Sequence, residues 1–263
     1  MRTLIKIIRY QIHDMSRSLW LIIYTAFFLI TGYGLTTFSS DAPKVLVSMM
    51  NITLIIIPLV SIIFGTIYHY NNKDYIILML SQPIKRNILF IGLYLGLVIP
   101  LVSSFFIGTL IPLLFSKISL KDHYEVLIYL FVSGFFQTAI FVSIAFLIAS
   151  YNENRMLGLG LSIFVWLCFA VLYDGLLLVF IQYFNDYPLE KILIGFSIFN
   201  PVDLARILII LKLDVAALMG YTGAVFQKFF NTDLGILISI VSLIIWTFVP
   251  LVIGKSKFSK KDL

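Results

Sequence analysis

Residues 204–224 read LARILIILKLDVAALMGYTGA, an apolar stretch long enough to be taken for a membrane span. Whether it crosses a bilayer decides the fold. It contains Arg206, Lys212 and Asp214, and each of these costs roughly 2.5–3.5 kcal/mol near the centre of a transmembrane helix. It is therefore read as an outer segment that does not cross. Six other runs meet the spanning criterion of about 20 apolar residues: 19–38, 45–68, 87–115, 127–149, 156–181 and 234–254.

An even number of spans puts both ends of the chain on one side. The segments on that side then hold Arg2, Lys6, Arg9, Arg17, Lys73, Lys85, Arg86, Arg155, Lys255, Lys257, Lys260 and Lys261, which are 12 of the 19 basic residues. They carry only Asp14, Asp74, Glu153 and Asp262 of the 13 acids. The positive-inside rule assigns this side, and both termini, to the cytoplasm. A seventh span would move the Lys255–Lys261 cluster outside.

Composition agrees. The 263 residues are 60% hydrophobic and 12% charged, with a mean hydropathy of +1.03, against roughly 25% charge in a soluble domain. Alternating ten-residue segments, the mark of a membrane barrel, are absent, so the spans are helices. The net charge of +6 follows topology rather than nucleic-acid binding, because no Lys/Arg block is interleaved with aromatics. The lone Cys168 excludes an intrachain disulfide and any CxxC motif. His13, His69 and His123 are scattered and the methionines form no ladder, so no metal site is expected. There is no G-x-x-x-x-G-K-[ST] phosphate cradle, and any ATP chemistry must come from another chain.

Three segments outside the spans could carry function, within what reads as a single domain over 1–263. Before the first span, Arg2, Lys6, Arg9, His13 and Arg17 line one side of a helix, and Leu4, Ile5, Ile8, Ile12 and Met15 the other. This predicts an amphipathic helix in the interface, basic face toward anionic headgroups. With no cleavage signature behind it, the first span reads as a retained anchor. Between spans two and three, NNKDYIILMLSQPIKR (71–86) predicts a short cytoplasmic helix stopped by Pro83. Between spans five and six, Asn200 is an N-cap candidate, Pro201 sits at the first helical position and Asp203 near the positive helix end. That outer helix has an apolar face of Ile207, Leu208, Leu211, Val215 and Leu218, and is broken near Gly220 and Gly223. In the fifth span, Asp174 is an intramembrane acid toward the outer end, for which a pairing partner is expected.

Six spans, an amphipathic entry helix, a short helix ending in Leu80-Ser81-Gln82-Pro83 before Arg86, and cytoplasmic ends resemble the ABC-2 class of ABC transporter permeases. In that class the segment between spans two and three usually carries an acid and a Gly-Thr, and here Asp74 and Tyr75 stand near those places. The string Asn200-Pro201-Val202-Asp203-Leu204-Ala205-Arg206, then Leu213-Asp214, then residues 217–227 (ALMGYTGAVFQ) is similar to the permease family of nitrous oxide reductase maturation. The Tyr173-Asp174-Gly175 turn fits the same family.

The resemblance implies an all-α integral membrane fold: six transmembrane helices, an N-terminal elbow helix, a cytoplasmic coupling helix and an outer amphipathic helix between spans five and six. It implies a noncatalytic permease working with a second copy of itself, membrane lipids, a cytoplasmic ABC ATPase dimer and a periplasmic β-helical copper-handling protein. ATP and Mg would sit on the ATPase, and this chain would bind no cofactor. Lys73, Asp74, Tyr75, Ile76, Leu80, Pro83, Asn152, Glu153 and Arg155 would face the ATPase. Asn200, Asp203, Arg206, Asp214, Tyr221 and Gln227 would face the outer partner. The alternatives are an exporter of a lipid, peptide or drug on the same fold, and a scaffold subunit without energy coupling.

Overall fold

The computed structural model describes residues 2–39, 41–116, 124–184, 190–210 and 233–260, and every regular element among them is a helix. In chain order these are α1 (Arg2–Ser16), α2 (Leu19–Phe38), α3 (Ala42–Asn71), α4 (Lys73–Leu80), α5 (Arg86–Phe115), α6 (Tyr124–Tyr151), α7 (Arg155–Leu167), a π-turn (Cys168–Leu172), α8 (Tyr173–Tyr183), α9 (Glu190–Phe199), α10 (Pro201–Ile210) and α11 (Asp233–Lys260). Among the described residues, six spans are long and apolar enough to cross a membrane: α2, α3, α5, α6, α7 with α8, and α11. They match the six expected runs. The 30 residues of α3 and of α5 make helices of about 45 Å, so both project beyond a hydrocarbon core of about 30 Å. The end of the bundle carrying residues 69–86 and 151–155 and the last turn of α11 is called here the basic end, and the opposite one the far end.

In lipid, helices gain nothing by hiding apolar surface from tails that are equally apolar, so close approach and hydrogen bonds must hold them together. The centre is α6, in which every residue from Gln137 to Phe146 is buried. One side of α6 meets a cluster with α3, α10 and α11, the other a cluster with α1, α2 and α5. Three buried side chains there donate to backbone: Thr66 to Ile62 O at 2.8 Å, Thr109 to Phe105 O at 2.8 Å, and Tyr94 to Ala139 O across helices at 2.9 Å.

The entry helix forms as expected, but its buried stripe differs. Ile7, Gln11 and Met15 are buried, whereas Ile5 is 62% exposed. The cause lies in α5. Gly92 and Gly96, one turn apart, leave a trough: a Cβ on Gly92 would stand 2.6 Å from Ile7, and one on Gly96 would collide with Gln11. Ile7 and Gln11 therefore drop against the backbone of α5, and the basic residues Lys6, Arg9, His13 and Arg17 stay exposed on the other side.

The outer segment holds more structure than its sequence suggested. A helix does begin at Pro201, but α9 precedes it directly, and the two meet at a bend of 114°. Each arm has 10 residues, about 15 Å, too short to cross. The pair is a hairpin at the far end, packed on the spans rather than lying free of them.

Candidate functional site

At the far end, a polar cluster ties the hairpin to span five. Asn200 caps α10, its Oδ1 accepting from Val202 N–H at 3.0 Å. The Asn200 amide nitrogen donates to Asp203 Oδ2 at 3.1 Å and to Phe169 O in the π-turn at 3.0 Å. Arg206 Nη1 pairs with Asp174 Oδ2 at 2.7 Å and with Asp203 Oδ1 at 3.2 Å. This is the partner that the intramembrane acid required. Asp174 lies 19 residues beyond the start of α7, about 28 Å along the helix axis, and so at the far edge of the hydrocarbon. Burial pushes the Asp203 carboxyl above the usual carboxylate range, and Asp174 adds in the same direction while Arg206 opposes.

The hairpin is held at three further points. Gln137 of α6 donates to Pro201 O at 2.6 Å, Trp246 of α11 donates to Ile198 O at 3.2 Å, and Tyr173 donates to Phe196 O. Spans four, five and six thus all grip the bend.

At the basic end a second junction joins two short connections. Tyr70, in the last turn of α3, donates to Asn152 O at 2.8 Å and reaches Asn154 O at 3.4 Å. Its ring occupies a notch that exists because residue 158 is glycine, since a Cβ there would collide with it. Asn154 in turn caps α7, accepting from Met156 N–H at 2.9 Å. A small cavity of about 40 Å³ lies at this junction, with Lys73, Ile76, Asn152 and Glu153 in its lining. Tyr75 of α4 stacks on Tyr10 of α1 at 5.6 Å and 8°, and Tyr68 donates to Gln11. The entry helix is thus linked to α4 by the Tyr10–Tyr75 stack and to α3 by Tyr68, and the last turn of α3 to the 152–155 connection by Tyr70.

The model of the ABC-2 family of transporter proteins matches residues 36–263. The chain belongs to this family. Two curated relatives of this ABC-2 permease carry the name probable ABC transporter permease protein NosY. The one from Pseudomonas aeruginosa is 23% identical over 231 residues, covering 81% of this chain and 84% of its own. That from Stutzerimonas stutzeri is 20% identical over 218 residues, covering 77% and 79%. The protein is thus an integral membrane permease subunit of an ABC transporter, distantly similar to NosY.

In this ABC-2 permease the sequence-expected residues divide by what they touch. Lys73, Asp74, Pro83, Glu153 and Arg155 are exposed at the basic end, and Asn152, Tyr75 and Leu80 are half-buried. Ile76, at 2% exposure, points into the bundle, and the outward apolar residues of α4 are Ile77 and Leu78, which were not expected. Asn200 is fully buried and Asp203 nearly so; with the half-buried Arg206 they form the cluster that docks the hairpin. Asp214, Tyr221 and Gln227 lie outside the described residues. The sequence reading missed Gln11, Gln137, Tyr70 and Trp246. Two of these had a readable signal: a lone Gln or an indole N–H within an apolar run must find an acceptor.

Proposed function

We propose that this ABC-2 permease couples ATP hydrolysis by a separate cytoplasmic ATPase to a periplasmic partner during copper-site maturation of nitrous oxide reductase. The observation that carries this reading is the similarity to two NosY permeases over about four-fifths of both chains, together with the 200–227 string that resembles that maturation family. The permease works as a homodimer in a bacterial inner membrane, with the basic end in the cytoplasm, where the positive residues concentrate. ATP and Mg belong to the ATPase, and copper to the periplasmic partner, a β-helical protein.

Mechanically, the exposed Ile77 and Leu78 with Lys73, Asp74 and Arg155 receive the ATPase. Tyr70 straps the last turn of α3, directly before α4, to the 152–155 connection, which leads straight into span five. Through Asp174, span five joins the charge cluster that holds the far-end hairpin. A push at one end is thereby delivered to the other without any substrate path.

Affinity purification of the tagged protein from its native membranes in mild detergent, followed by mass spectrometry, tests the proposal. Recovery of an ATPase together with a periplasmic repeat protein is expected. An ATPase alone would transfer the assignment to an exporter of a lipid, peptide or drug, and recovery of no ATPase would overturn coupling altogether.

A further inference from the structure

In a regular α-helix the N–H of Tyr173 would bond to the carbonyl of Phe169, four residues back. It bonds instead to Cys168 O, five back, and span five widens into a π-turn, a feature common at functional sites. The released Phe169 carbonyl is taken by the Asn200 amide of the hairpin at 3.0 Å. Asn200 and the Tyr173 N–H therefore compete for one acceptor. In the narrow register that carbonyl stays bonded, while the Asn200 amide keeps Asp203 Oδ2 and gives up Phe169 O, so this one side-chain bond favours the wide form. No residue from Ile163 to Tyr183 is fully buried within the chain, and the ring contacts of the turn itself are those of Phe169 with Trp246 at 5.3 Å and Phe141 at 6.3 Å, upstream of the residues that change place.

We propose that the π-turn at Cys168–Leu172 is a one-residue register switch in span five, held in its wide form by Asn200. When Phe169 O returns to the Tyr173 N–H, the extra residue is absorbed and α8 rotates by about 100° while advancing by about 1.5 Å. Each downstream site then passes to the preceding residue. Tyr173 takes the place of Asp174, whose carboxylate leaves Arg206, and Val179 takes the place of Phe180, which now sits 5.2 Å from Phe196 of α9. Rotation of span five is thereby converted into making or breaking the ion pair that docks the hairpin. The switch follows from the helix geometry and holds whichever outer partner the permease serves.

The test is disulfide formation in native membranes by the full chain carrying Cys168→Ala. Two pairs are compared, Phe180→Cys with Phe196→Cys, and Val179→Cys with Phe196→Cys. The parent background is expected to bridge the first pair. Asn200→Leu, which removes the competing amide, is expected to lose the first bridge and gain the second. Deleting Ala170 removes the extra residue, so an all-α span regains the original facing. That deletion is expected to restore the first bridge in the Asn200→Leu background, and to keep it when introduced alone. Retention of the first pair in Asn200→Leu, loss of both pairs without rescue by the deletion, or loss of the first pair in the deletion alone would each overturn the switch. A mere loosening of the hairpin would not be repaired by shortening a different helix. The readout in every arm is a bridge within this chain and needs no ATP hydrolysis or outer partner, so the result is independent of the coupling proposal.

Discussion

Arg206 faces two carboxylates and can neutralise only one of them. Removing the cation leaves both acids in a poorly solvated place, and Arg206→Ala is expected to cost about 1.5–3 kcal/mol, as for lost hydrogen bonds to charged groups. Asp203→Asn is expected to cost less, because it removes the surplus charge. Unfolding midpoints in detergent compare the two. The pH dependence has a definite sign. With its pKa raised in the folded protein, Asp203 binds a proton more readily folded than unfolded, so this stability is present at low pH and is lost as pH rises through the folded value. Parent midpoints should fall from mildly acid to mildly alkaline pH, and Asp203→Asn should flatten that decline. At the basic end, Gly158→Leu forces Tyr70 from its notch and is expected to cost about 1–3 kcal/mol, the range for overpacking. Gly160→Leu, with open space around the position, supplies the control, and its midpoint should stay at the parent's.

At the scale of elements, α1 shows what could be read in advance and what could not. Its existence, its basic face and its place before the first span follow from periodicity alone. The choice of buried stripe does not, because Ile5 and Ile7 are equally apolar and only the glycines of α5 select between them. Gly96→Leu is expected to displace α1 and open the Arg17–Ser18 turn to protease, whereas Ile5→Ala should leave cleavage unchanged; limited proteolysis in membranes checks both. The hairpin shows the same division. Asn200, Pro201 and Asp203 announced the start of α10, but α9 had no cap signal of comparable strength, and the rejection of 204–224 as a span rested on charge alone. The inward aim of Asn200 was hidden because its receptor, Phe169 O, is offered by a π-turn that no periodicity announces, and that of Asp203 because Asp174, which shares Arg206 with it, comes from span five.

For the whole molecule, the six spans were legible because desolvating backbone in hydrocarbon leaves few options, and apolar length is therefore a nearly sufficient signal. Which partners it meets depends on exposed residues, about which periodicity says little. The coupling proposal places the ATPase on the outward face of α4, so the double change Ile77→Asp with Leu78→Asp is expected to abolish co-purification of an ATPase while the unfolding midpoint is kept, since both side chains are exposed. The same change at the buried Ile76 should instead lower the midpoint. If the basic end is cytoplasmic, a cysteine at Lys257 in a Cys168→Ala chain should react with an impermeant thiol reagent only after cells are opened, whereas one at Tyr183 should react in intact cells with a permeable outer layer.

The trough that holds the entry helix also sets an order of events during synthesis. Gln11 leaves the ribosome 85 residues before Gly96, an interval of about 4–17 s at about 5–20 residues per second. Throughout it the first helix of the chain has no seat, and waits on the membrane surface until the third span has been inserted. A helix made well before its seat is thus among the later elements to reach its final contacts, and nascent chains stalled before residue 92 should present α1 to protease while longer ones protect it.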